Sequence, residues 1–331
     1  MKVTIKDIAA VAGVSYSTVS KALNNSPLVQ EKTKRKIIKL SQEMGYKPNF
    51  AARSLVSNQT MVIGLIWPTI DRIVLSTLVT KISNEIRNTD YSMVLSVDPV
   101  ETSIETFKRF QVDGIILFEE NISNPIQTES LPILSYGVIN DARKNYPTID
   151  PNYEEAMNKA VKYLSGLGHT KIAYISNLSS LDPMQIEKNR SFRKAMQLHG
   201  LPIKDEYIID TEGFNFYDGY TATSKLLNLH DRPTVIVGGS YDLSSGIIRA
   251  ISEKKLSIPR DISVISYDNI PEMENTEVPL TCIGVSIDQL ATEIVHSMIK
   301  FVENNVISNP KQFNKKMSPV LVERESCGTP S

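Results

Sequence analysis

Apolar residues recur in two rhythms along the 331-residue chain, and the change falls near residue 60. Up to residue 44 the spacing is helical: Ile5, Ile8, Ala9 and Ala12, then Val19, Ala22 and Leu23, then Ile37, Ile38, Leu40 and Met44. Gly13 separates the first two runs, and a glycine there can adopt the positive φ that lets one helix end and another leave at a steep angle, as in a helix-turn-helix. Ser15 stands where it would cap the second helix, whose outward face then presents Tyr16, Ser17, Ser20 and Lys21. The third run, "EKTKRKIIKLSQEMGY", turns Lys32, Lys34, Arg35, Lys36 and Lys39 largely outward. "FAARSLVSNQT" follows, a polar stretch about ten residues long with good helix formers, too short to be a stable helix alone.

From residue 61 short apolar runs alternate with amphipathic ones. "MVIGLIWP", "SMVLSV", "DGIILF", "PILSYG", "KIAYIS", "TVIVGG" and "ISVISY" are strand-like, while "VLSTLVTKISNEI", "EAMNKAVKYL", "NRSFRKAMQLHG" and "LSSGIIRAISEKK" are helical. Strand alternating with helix predicts an α/β body of parallel sheets covered on both faces. About ten strands in some 270 residues suit two doubly wound lobes better than one sheet. The first lobe is expected over about 61–160 with a return near 290–320, and the second over about 161–289 and 321–331. With a helix-turn-helix domain over 1–48 and a hinge or linker over 49–60, this completes the domain plan.

Charge divides the chain at the same place. Residues 1–60 hold ten Lys or Arg against three Asp or Glu, whereas the remaining 26 basic and 34 acidic residues leave the body negative. One end seeks a polyanion and the other does not. Polar side chains at the start of a helix beside a basic face suit a major groove and its phosphates; the plainer alternative is a small bundle whose lysines only keep it in solution. Residues 50–60 are either an interdomain linker or a segment that folds in the minor groove and drives Leu55 between base pairs as a wedge.

Other chemistries find little support. Cys282 and Cys327 lie far apart, and His169, His199, His230 and His296 are scattered, so neither a disulfide framework nor metal-ligand spacing emerges. "GLGHTK" lacks the third glycine of a dinucleotide loop, and no nucleophile elbow is present. No catalytic residues, metal or cofactor are therefore expected. The longest apolar run cannot span a bilayer and no export signal opens the chain, which points to the cytoplasm. The body alone would suit a solute-binding protein for uptake, but the basic amino-terminal module argues against that reading.

Taken in order, "TIKDIAAVAGVSYSTVSKALNNSPLV", "GYKPNFAARSL", "IGLIWP", "VDGIIL", "LGHTKIAYI", "PRDISVISYDN", "PLTCI" and "LVERES" make the chain resemble the lactose-repressor and galactose-repressor (LacI/GalR) family of bacterial transcription regulators. The resemblance implies a two-lobed body like a periplasmic-binding-protein clamshell behind the helix-turn-helix. It assigns Tyr16, Ser17 and Lys21 to base edges, Leu55 to the hinge-helix wedge, and Thr4, Ser15, Thr18, Asn24 and Tyr46 to supporting backbone contacts. The implied partners are a double-stranded operator, a small effector that is a sugar or sugar acid, and a second copy of the chain. No leucine heptads follow "LVERES", which favours a dimer. Repression is the expected outcome.

Phe214 and Asp268 match the family's effector cleft, where an aromatic face and a carboxylate suit a carbohydrate; the alternative is a core phenylalanine and a loop-capping aspartate. Several positions depart from the family pattern. Its arginine before "GF" is Lys188, its "ND" is Ser240 and Tyr241, its "DR" is Gly137 and Val138, and its "NPFF" is Arg72, Ile73, Val74 and Leu75. Either the cleft takes an unusual ligand, such as an acidic sugar drawn by Lys188 or Arg72, or it no longer takes a free monosaccharide and answers to something else.

Overall fold

The computed structural model describes residues 3–23, 26–46, 59–120, 126, 131–139, 144–179, 181–304 and 310–331. These form two compact units, Met1–Thr60 and Met61–Ser331.

The amino-terminal unit contains α1 (Ile5–Ala12), α2 (Tyr16–Leu23) and α3 (Glu31–Glu43). Thr4 and Asp7 form a reciprocal capping box at the start of α1, and Gly13 ends it at φ 70°, donating its amide to the Ala9 carbonyl at 3.0 Å. Ile8, Val19 and Ile37, one from each helix, are fully buried together. Each such side chain contributes roughly 1.5–3 kcal/mol of transfer free energy. Ile38 departs from the predicted stripe: it is 38% exposed, because Ile37 and Ser41, one turn apart, take the inward face of α3. Lys36 is exposed, as its spacing predicts, and its ammonium donates to the Ala12 carbonyl at 3.2 Å, tying α3 to the negative end of α1.

The body has two six-stranded sheets. β1 (Val62–Ile66), β2 (Ser92–Ser96), β3 (Gly114–Phe118), β4 (Ile133–Tyr136), β5 (Thr148–Asp150) and β11 (Lys315–Lys316) form the first, in the order β11-β5-β4-β3-β1-β2, all parallel. The second holds β6 (Ile172–Ser176), β7 (Ile208–Asp210), β8 (Val235–Gly238), β9 (Ser263–Asn269), β10 (Thr281–Ser286) and β12 (Val320–Val322), in the order β12-β10-β9-β8-β6-β7. Only β12 in that sheet runs antiparallel, on β10. Strands β3, β4, β6 and β8 are buried along their whole length because helices cover both faces.

The chain passes between the lobes three times. After β5 it enters α6 (Tyr153–Gly166), which packs on α7 (Pro183–Leu198), β10 and β12. Residues 153–160, assigned from the sequence to the first lobe, therefore belong with the second: α6 buries Tyr153, Ala156, Met157 and Ala160 there. After β10 the chain returns through α10 (Ile287–Asn304), packed on β3, β4 and α4 (Ile73–Arg87), and between β11 and β12 it crosses for the last time. The return thus starts at Ile287.

Candidate nucleic-acid interface and ligand cleft

In the amino-terminal unit, Ser15 Oγ accepts from the Thr18 amide at 3.2 Å, satisfying one of the open donors of α2, and shares 2.8 Å hydroxyl contacts with Ser17 and Thr18. This cap leaves Tyr16, 53% exposed, with Ser17 and Lys21 on the open face of the helix. Thr4 is engaged in its capping box, Thr18 is half-buried beside Ser15, and Tyr46 packs half-buried against the three-helix core. Asn24 and Leu55 lie outside the described residues. The basic face of α3 is less free than its sequence implies. Lys34 is only 12% exposed and pairs with Glu31 at 3.6 Å, and Arg35 pairs with the same glutamate at 3.2 Å. Lys39 reaches Glu43 at 3.8 Å but is largely exposed, as is Lys32.

In the body, the carboxyl ends of the parallel strands face a cleft between the lobes, the position at which open α/β sheets hold ligands. The empty space there is about 790 Å³ with the open solvent at its mouth counted in. Phe118, Tyr136, Tyr153, Phe214 and Tyr267 give it aromatic walls.

Four sequence-chosen residues meet there beside Ser240. Arg72, at the start of α4, stacks its guanidinium 4.5 Å from the centre of the Phe214 ring across the lobe boundary and donates Nη2 to Glu120, just beyond β3. Lys188, 5% exposed on α7, donates to the Gly239 carbonyl at 3.0 Å and sits 4.4 Å and 5.2 Å from the centres of the Tyr267 and Tyr153 rings. Burial pushes its ammonium below the ordinary lysine range, while Asp268 and Asp182 pull the other way. Asp268, near the end of β9, holds the left-handed region at φ 92° and accepts the Tyr241 amide at 3.0 Å. Gly284 makes room for this turn, since a Cβ there would come 3.2 Å from the Asp268 backbone. Burial raises the Asp268 carboxyl to about 6, against the opposing pull of Lys188.

Ser240 lines the cleft and caps α9 (Tyr241–Glu253) by accepting the Leu243 amide at 3.4 Å. Tyr241 does not line it: the backbone amide holds Asp268, while the ring packs on the core. Two polar contacts bridge the lobes nearby. Arg72 provides no side-chain cap for α4, and Asp242 takes that place from the opposite lobe, accepting the Ile73 amide at 3.3 Å. Thr77 donates to Glu272 at 3.4 Å.

Two family profiles match. "Bacterial regulatory proteins, lacI family" covers residues 4–49 and "Periplasmic binding protein-like domain" covers residues 161–327. The chain is 32% identical to the probable HTH-type transcriptional repressor ExuR of Bacillus subtilis, over 86% of this chain and 89% of that one. It belongs to the lacI family. Other similar members include catabolite control protein A of Priestia megaterium, 28% identical over 96% of this chain and 99% of that protein, and the NTD biosynthesis operon regulator NtdR of Bacillus subtilis, 30% identical over 98% and 99%. Among solved structures, the Lac repressor dimer bound to operator and the anti-inducer ONPF shares the fold, with a TM-score of 0.81 and 24% identity over 98% of this chain and 99% of that one. The protein is thus a DNA-binding transcriptional regulator of the lacI family.

Comparison with the lacI pattern did not single out Glu120, Gln185 or Asp242 in the cleft. Glu120 follows a strand in a stretch with no motif. Gln185 lies one helical turn before Lys188, and its place beyond the Asp182 cap, which accepts the Met184 and Gln185 amides, is the one local signal that could have found it.

Proposed function

We propose that this lacI-family regulator is a cytoplasmic, non-catalytic repressor that binds a near-palindromic operator as a homodimer and is controlled by a small carbohydrate-like effector held between its lobes. Tyr16, Ser17 and Lys21 read base edges, Thr4, Ser15, Thr18, Asn24 and Tyr46 support the backbone contacts, and Leu55 wedges the minor groove. The observation that carries the reading is the joint occurrence of a side-chain-capped, outward-facing α2 and an aromatic cleft whose two walls belong to different lobes. An effector there acts on both lobes at once, because Arg72 with Phe214, and Ile73 with Asp242, already meet across the boundary. Operator and effector bias the same two arrangements and so couple reciprocally.

The carbohydrate class draws support from the aromatic walls and from structural neighbours solved with sugars: the transcriptional regulator CelR–cellobiose complex, and a regulator from Enterococcus faecium with bound ribose. Phe216 and Tyr217, exposed in an aromatic cluster with Tyr220 on α8 (Phe216–Leu226), supply apolar area for pairing of copies. The test is retention of genomic fragments by the purified full chain at moderate ionic strength, with and without a sugar panel. Selective retention that a sugar alters supports the reading, and indifference to sequence in both states overturns it.

A further inference from the structure

Neither cation of the cleft is waiting for an anion. Arg72 already donates Nη2 to Glu120, and Lys188 donates to the Gly239 carbonyl beneath two tyrosine rings, with Asp268 and Asp182 near enough to stabilise its charge. Among the residues that line the cleft, three carboxyl groups, of Glu120, Asp242 and Asp268, stand against these two cations. A carboxylate or phosphate brought here would have to displace Glu120 from Arg72 and would leave a desolvated glutamate without its partner, a costly exchange.

Two polar atoms in the lining are unsatisfied. Arg72 Nε and Gln185 Oε1 are buried and have no hydrogen-bond partner among the described residues. The first needs an acceptor and the second a donor. A hydroxyl is both and can serve the two at once, whereas an ionised carboxylate set against Arg72 is an acceptor only and leaves Gln185 to another group of the ligand. The aromatic walls of the cleft suit the apolar face of a ring that carries such hydroxyls.

We infer that the cleft selects an uncharged hydroxyl-bearing ring over a sugar acid or sugar phosphate, and that Glu120 is the residue that bars the anion by holding Arg72. Gln185 joins Arg72 in recognising a hydroxyl. This rests on the carbohydrate reading above and departs from the acidic sugar that Lys188 and Arg72 suggest when read as bare charges.

The experiment measures binding to the full chain by thermal shift and titration calorimetry, using matched pairs: galactose with galacturonate, glucose with glucuronate and with glucose 6-phosphate, and ribose with ribose 5-phosphate. The neutral member of a binding pair is expected to bind at least about tenfold more tightly than its anionic partner. A pair in which the anion binds more tightly overturns this inference while leaving the carbohydrate reading in place. Silence from every pair removes the carbohydrate reading and this inference with it. In Glu120→Gln, where Arg72 loses its counter-charge but not its neighbour's shape, the preference should swing toward the anion by about tenfold or more. An unchanged ratio of the two affinities in that variant overturns the role given to Glu120. Gln185→Leu should weaken the neutral ligand more than the anion, and equal losses would count against the shared hydroxyl.

Discussion

In the amino-terminal unit the groups that cap α1 and α2 are sequence neighbours: Thr4 bonds Asp7 and Ser15 bonds Thr18, three residues apart in each case. In the cleft the partners are distant: 48 residues separate Arg72 from Glu120, and 169 separate Ile73 from Asp242. The first kind of site is written in local capping chemistry, which any helix of that sequence would satisfy. The second exists only once two sheets have formed and their strand ends have met. Local sites tolerate loss of a single contact, whereas a site assembled at long range concentrates buried charge that each change unbalances.

The largest effect expected from breaking this contrast is in the small core of the amino-terminal unit. Ile37→Ala should cost about 2–5 kcal/mol, since a fully buried side chain leaves a cavity among three short helices. Operator retention should be lost while a ligand's effect on the melting of the body survives, and loss of both would show the two units to be less separable than their compactness implies. Next comes the titration of the cleft. With Asp268 raised to about 6 from its ordinary 3.8, the folded state binds that proton more tightly, so its contribution is present below about pH 4 and is lost as pH rises to about 6. Asp268→Asn should flatten that part of the stability profile by roughly 1–2 kcal/mol, less than the full shift because the side chain is half-buried. A profile with unchanged slope would contradict the assignment.

A smaller loss is expected at the cap of α2. Ser15→Ala should cost about 1 kcal/mol of head stability, and Ser15→Gly less, as measured by denaturant melting of the full chain. The smallest change sharpens the picture of the basic face. Lys39→Ala should reduce the salt slope of DNA binding by about one ion with base preference kept, whereas Lys34→Ala, mostly buried against Glu31, should reduce it less. Equal slopes for the two would show that the ion pairs of the free protein do not govern phosphate contact.

Much of the fold was legible because its rules are short-ranged. Gly13 between two helical runs, Ser15 ahead of α2, and strand-like runs alternating with amphipathic helices all correspond to elements of the structure. Ile38 departs from the predicted stripe because the stripe of a single helix does not tell which residue at its edge a neighbour will cover, nor does it tell that the ammonium of an exposed Lys36 will find the end of α1. In the cleft, Phe214, Asp268 and Lys188 are marked by likeness to the lacI pattern, Tyr241, expected there too, is outside the lining and gives its amide to Asp268, and Glu120 carried no signal at all.

By itself the sequence determined the helix-turn-helix with its caps, the alternation that demands covered parallel sheets, and the division of charge between the two ends of the chain. These follow from periodicity and from contacts within one or two helical turns, which the order of residues specifies directly. Only the tertiary structure decided which cations are already engaged, which carboxylate engages them and which polar atoms stay open, because those depend on groups far apart in the chain meeting where water is largely excluded.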